Sequence, residues 1–203
     1  MAQPTTQDKL IEATLEALRT KGFAGASTRT IAGLAGVNPG LIFYYYGTLD
    51  DLLLAAMRRS SEERLERYGA AADEVSSLAE LLALLSEIYR EDVASGHVRV
   101  VSEMVAGSVS RPELAKQVMA QMEPWVELAE RCVESALNGS PLLSLAPPRD
   151  LAMAAVTFYL GANLMSHLGS DSPAVEDLLA AGERVAPLLD LLGAQGKTKS
   201  DRS

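Results

Sequence analysis

Between Ser27 and Leu49 the chain reads STRTIAGLAGVNPGLIFYYYGTL, a stretch that gathers one cation, several small polar side chains and four adjacent aromatic rings. Arg29 is the only basic side chain between Lys21 and Arg58. Thr28 and Thr48 can bond phosphate oxygens, and Leu41, Tyr44 and Tyr45 can face the DNA. A tight turn between two short helices would place these groups together, as in a DNA-reading helix.

The local signals supply that geometry. Ser27 can cap a first helix that runs through Ile31, Ala32, Leu34 and Ala35 and stops at Gly36. Thr28 reads either as a cap or as a DNA contact, and the two roles are compatible. Asn38 followed by Pro39 restarts a helix over 39–45, because proline lacks only an amide hydrogen that would be orphaned there anyway. Ile31, Ala35, Val37 and Ile42 are spaced to pack the two helices together, and Ala32 and Ala35 allow a close crossing. Leu41, Tyr44 and Tyr45 are left to face outward. Four consecutive rings span the whole circumference of a helix, so not all can be core. Tyr46 and Phe43 are read as mainly structural. An amphipathic helix over 6–21, with Leu10, Ile11, Leu15 and Leu18 on one face and Gly22 at its end, supports the pair. Thr48 and Asp51 have capping-box spacing and start a fourth helix through Leu53, Met57 and the charged stretch 58–67. A long helix of this kind can convert movement in the body of the protein into a change in reading-helix separation.

The residues Thr28, Ile31-Ala32, Ala35-Gly36-Val37-Asn38, Gly40, Ile42 to Tyr46 and Thr48 resemble, in order and spacing, the N-terminal domain of the TetR family of transcriptional regulators. The resemblance covers about residues 8 to 57. It departs from the family pattern at Leu49, where a lysine is usual, and at Phe43, where a tyrosine is usual. The resemblance implies DNA binding through Thr28, Arg29, Asn38, Pro39, Gly40, Leu41, Phe43, Tyr44, Tyr45 and Thr48. It also implies a homodimer on an inverted-repeat operator and a small-molecule effector held by the middle helices.

At 203 residues and 48% hydrophobic, the chain can bury a substantial core. Long Ala- and Leu-rich segments without period-two alternation predict an all-α fold. The expected organisation is a helix-turn-helix domain over 1–48, a helical effector-binding and dimerisation domain over 49–193, and a disordered tail over 194–203. The formal net charge is -9, and the residues before 49 carry four basic and three acidic side chains, leaving -10 for the rest. Only the small domain must approach phosphate, so non-specific DNA affinity is expected to be modest. A lone cysteine, Cys132, suits a reducing cytoplasm and reads as a small buried apolar residue. No signal segment and no run of 18 apolar residues is apparent, so the expected location is cytoplasmic.

Further helices are expected at about 75–94, 98–107, 111–137, 149–168 and 173–192. The last two, the first of them with Asp150 as its cap, are candidates for a four-helix dimer interface, with Leu160, Leu164, Leu178, Val185, Leu189 and Leu192 as the apolar stripe. Gly161, Ala162 and Gly182 would allow close approach. Tyr89, Met104, Met122, Trp125, Phe158, Tyr159 and Met165 offer pocket walls, with Asn163 and His167 as polar anchors. No cofactor is implied. His97 and His167 lack neighbours at metal-ligand spacing, and no phosphate loop, nucleophile elbow or Cys-His pairing supports catalysis. The expected function is therefore a repressor released from its operator by a small, largely apolar ligand. An activator or partner-controlled regulator, and a helical binding protein with a vestigial reading domain, remain as alternatives.

Overall fold

A computed structural model describes residues 4–140, 143, 146–166 and 177–187. The side chains of Asn163, Met165 and Ser166 fall outside that description, as do His167, Leu189, Leu192 and the tail 194–203. The helices are α1 (Thr6–Gly25), α2 (Thr28–Ala35), α3 (Gly40–Tyr46), α4 (Leu49–Asp73), α5 (Leu78–Ser95), α6 (His97–Ser108), α7 (Pro112–Ala136) and α8 (Pro148–Ser166). Residues 177–187 form a further helix, α9, and no strand occurs among the described residues. The order and approximate bounds follow the sequence signals.

The chain forms two compact units. The first combines Met1–Arg64 with Val93–Met122, so α6 and the start of α7 share a unit with the helix-turn-helix. Its core is built from Leu10, Leu18, Ile31, Ile42, Leu52, Leu53, Met57, Val100, Met104 and Val118, all fully buried. The second unit combines Leu65–Asp92 with Glu123–Ser203. There Tyr68, Val75, Leu84, Leu128 and Cys132 form one cluster with Trp125 against it. Tyr89, Ala162 and Leu179 form another, flanked by Leu85 and Tyr159.

Two local details differ from the sequence reading. Gly22 does not end α1; it breaks the helix at φ 69°, and the chain resumes helical geometry as far as Gly25. Only glycine adopts that backbone without strain. Asp150 lies in the first turn of α8 rather than at its cap.

Candidate nucleic-acid interface

The first unit presents a helix-turn-helix whose ends are fixed by short side chains. Ser27, not Thr28, caps α2: its hydroxyl accepts the Thr30 amide at 3.2 Å, and Thr28 is the first helical residue, half-buried. Gly36 ends α2 in the left-handed region at φ 66°. The Asn38 side-chain carbonyl accepts the Gly40 amide at 2.8 Å and so starts α3. Thr48 starts α4 by accepting the Asp51 amide at 3.1 Å while its hydroxyl donates to the Asp51 carboxylate at 2.6 Å. Asn38 and Thr48 are therefore committed first to capping. A phosphate bond from the Thr48 hydroxyl would have to displace Asp51.

Helical geometry sorts the aromatic run. Ile42 is the buried anchor of α3 at 0% exposure. At 100° per residue, Tyr45 lies about 60° from it, Phe43 about 100° and Tyr44 about 160°. Their exposures rise in that order, at 38%, 54% and 79%. Phe43 is thus an exposed ring rather than a structural one, which corrects the reading of its sequence position. Tyr46 falls one turn after Ile42 and is half-buried, its hydroxyl donating to the Gln7 carbonyl at 3.4 Å. Burial, with the Asp8 carboxylate nearby, raises its phenol pKa above the usual value. Tyr44 and Tyr45 meet edge to face with centroids 4.9 Å apart. This pair forms an amphipathic tip on the exposed face of a short helix. Arg29 is exposed on the first turn of α2, without an ion-pair partner among the described residues. Pro39 and Gly40 are exposed, and Leu41 is half-buried.

The scaffold behind this face was not visible in the sequence. Glu103 of α6 accepts the Phe23 amide at 2.8 Å, at the break in α1. A Cβ on Gly107 would lie 2.1 Å from the Phe23 ring, so α6 meets that ring with bare backbone. The Arg111 guanidinium sits 5.9 Å from the centroid of the same ring and pairs with Asp50 in the first turn of α4. The Gln121 amide donates to the Leu54 carbonyl at 3.2 Å. These contacts fasten α6 and the start of α7 to the two helices that carry the reading pair.

The residues expected to form a pocket divide between the two units. Met104 and Met122 are buried in the first unit. Tyr89, Trp125, Phe158 and Tyr159 belong to the second, where Phe158 is exposed and the Tyr159 hydroxyl donates to buried Asp92 at 2.7 Å. Of the expected interface residues, Leu164, Leu178 and Val185 are exposed apolar side chains and Leu160 is half-buried. Gly182 faces Leu82 of the same chain, where a Cβ would lie 3.3 Å from that side chain.

The family model for bacterial regulatory proteins, tetR family, matches residues 10–56, the segment that holds α1 to α3 and the start of α4. The HTH-type transcriptional regulator BetI of Stenotrophomonas maltophilia (strain R551-3) is 34% identical over 118 residues, which cover 56% of this chain and 60% of that protein. The chain thus spans about three-fifths of that curated relative, and 50% of the BetI of Ectopseudomonas mendocina (strain ymp). A TetR-family member of known structure from Streptomyces coelicolor A3 is 26% identical with TM-score 0.65, over 92% of this chain and 99% of its own. The multidrug-binding protein EbrR, solved with malachite green, is 28% identical with TM-score 0.61 over 92% and 99% of the two chains. The capped helix pair and its exposed aromatic tip thus lie in the segment that matches the tetR family of bacterial regulatory proteins, and the all-helical chain as a whole is similar to a TetR-family protein of known structure.

Proposed function

We propose that this protein is a cytoplasmic, homodimeric, sequence-specific transcriptional repressor that a small molecule releases from an inverted-repeat operator. The observation that carries the reading is the exposed Tyr44–Tyr45 tip of α3, together with exposed Arg29 on the first turn of α2, on a helix pair whose Ile31 and Ile42 are fully buried. Each α3 would enter a major groove, with Arg29 and Thr28 on the flanking phosphates and the tyrosine rings against sugars and base edges. The exposed apolar side chains of α8 and α9, Leu164, Leu178 and Val185, suit burial against a second copy. Two copies would set two reading helices about one helical turn apart along the duplex. The functional division of the chain then follows residue 48, with the reading elements before it and the elements that sense the effector and pair the copies after it.

Release follows from the clamp of α6 on α1 and α4. A ligand that favours a shifted α6 would carry Phe23 and Asp50 with it through Glu103, Gly107 and Arg111, and so turn the reading helix away from its half-site. A coupling of about 1 to 3 kcal/mol, on the order of 5- to 150-fold in operator affinity, is usual for such switches. EbrR, solved with malachite green, supports a small-molecule effector for a protein of this build. Selection of genomic fragments by the purified protein, followed by sequencing, tests the reading. Enrichment of a short inverted repeat that Tyr44→Ala and Arg29→Ala variants no longer retain, as intact dimers, is the expected result. No enrichment from ligand-free protein would refute it and favour a binding protein with a vestigial reading domain.

A further inference from the structure

The start of α3 spends its own donors. The Gly40 amide donates to the Asn38 side-chain oxygen at 2.8 Å, the Leu41 amide to the Asn38 carbonyl at 3.0 Å, and the Ile42 amide to the Pro39 carbonyl at 3.1 Å. Pro39 has no amide hydrogen at all. These backbone groups are therefore not free to meet a phosphate. The same bonds fix the polarity of one exposed side chain. An amide N–H can be met only by an acceptor, so Asn38 Oδ1 is the atom that faces Gly40, and Nδ2 with its two hydrogens is left on the other side of the amide. Glycine at position 40 leaves room for this bond, since a Cβ there would lie 3.2 Å from Oδ1. Residues 17–49 contain no carboxylate, so the sequence around this donor supplies no anion to occupy it.

We propose that Asn38 determines part of the DNA specificity as a one-way hydrogen-bond donor, its Nδ2 group reaching an acceptor on the operator. The proposal rests on the operator reading above and adds to it the direction of one bond. Acceptors of the right kind are a phosphate oxygen or, in the major groove, guanine O6 and N7 or thymine O4. Adenine is the usual partner of asparagine, but that bidentate pair needs the side-chain oxygen and nitrogen turned to the base together. Here the Gly40 bond holds the oxygen at the helix. One side chain thus does two jobs with its two ends: the oxygen starts the reading helix, and the nitrogen selects what that helix can approach.

The test is selection from a randomised duplex library by the full-length wild type, Asn38→Asp and Asn38→Gly, followed by titration of the selected repeat and of a scrambled duplex. Asn38→Asp keeps an oxygen for the Gly40 amide, and glycine is tolerated at helix starts, so urea midpoints should stay close to wild type. Asn38→Asp replaces the donor with a carboxylate and should weaken binding to the selected repeat by about tenfold or more per copy. Asn38→Gly removes the donor without adding charge and should cost about fivefold per copy; it also carries the test by itself where the aspartate variant fails to fold. A base acceptor predicts that Asn38→Asp selects a new repeat, with cytosine or adenine, whose amino groups donate, in place of one guanine or thymine in each half. A phosphate acceptor predicts an unchanged repeat and a parallel loss on both duplexes. Either pattern supports the donor. Wild-type affinity and an unchanged repeat in Asn38→Gly would overturn it, because a loss confined to Asn38→Asp is charge repulsion alone. A wild type that enriches no repeat removes the operator reading and the donor together, whereas failure of the donor alone leaves the wild-type repeat in place.

Discussion

Lowering the pH should destabilise this protein through one histidine. His97 opens α6, is 2% exposed, and has Nδ1 2.9 Å from the Ser60 hydroxyl. Arg64 Nη1 donates to that hydroxyl and to the Ser60 carbonyl, each at 3.2 Å, and Nη2 donates to Ser95. The Ser60 hydroxyl thus bonds Nδ1 of the imidazole while it accepts from Arg64. Burial first, then the Arg64 charge from α4 and the Arg19 charge from α1, lowers its pKa from 6.5 to about 3. The positive end of the α6 dipole opposes a cation at the same place.

The sign follows from proton counts. Between pH 6.5 and about 3 the unfolded chain holds a proton on this imidazole and the folded chain does not. Stability therefore rises with pH across that window and is lost as pH falls through it. At pH 5 the deficit relative to pH 8 is about 2 kcal/mol, from 1.36 kcal/mol per unit over the distance to 6.5. Carboxylates contribute their own slope, so the assay is a comparison. Urea midpoints of the wild type and His97→Gln, at equal protomer concentration, should be followed from pH 8 to pH 5. The variant will be weaker at pH 8 because it loses the packed ring, but it should lose about 2 kcal/mol less across the range. Parallel profiles would refute the argument, as would a His97 ring resonance that titrates near 6.5 in the folded protein.

Three further outcomes follow from the same geometry. Gly107→Ala places a methyl inside the Phe23 ring and should cost about 1 to 3 kcal/mol in denaturation, with partial recovery in the Gly107→Ala/Phe23→Leu double variant; simple additivity would show that the two residues do not meet. Arg29→Ala should flatten the dependence of log operator affinity on log salt by about 2 per dimer, one phosphate contact per copy, and an unchanged slope in a salt titration would remove Arg29 from the backbone contacts. Ser86→Ala should raise the stability of the ligand-free protein by about 1 kcal/mol in urea unfolding, because it deletes an unpaired buried hydroxyl and adds a better helix former.

What could be read from sequence was what is encoded within a few residues. Ser27, Gly36, the Asn38-Pro39 step and the Thr48–Asp51 pair each act within one turn, and each does in the structure what its chemistry implies. Phe43 was misread for lack of such a signal. A helix of seven residues with one fully buried position has no periodicity to count, so only the angle from Ile42 orders its rings. The clamp on the reading helices was illegible for a different reason. Glu103 meets Phe23 across 80 residues of sequence, and no local signal distinguishes it from the other acidic side chains of a charged surface.

Read together, Gly107 and Ser86 indicate where stability has been given up. An alanine at either position would be the better helix former. At Gly107 the bare backbone admits the Phe23 ring, which Arg111 then covers, so the site trades helix propensity for a tight joint between α6 and the reading domain. At Ser86 no contact within the described residues repays the buried hydroxyl. Residues that break a local rule with a compensating partner belong to the machinery of the fold. One that breaks it without a partner is a cost the rest of the fold must carry. The Ser86→Ala variant separates these two cases. A gain in stability would identify the hydroxyl as such a cost, whereas a loss of stability would make it an ordinary structural serine.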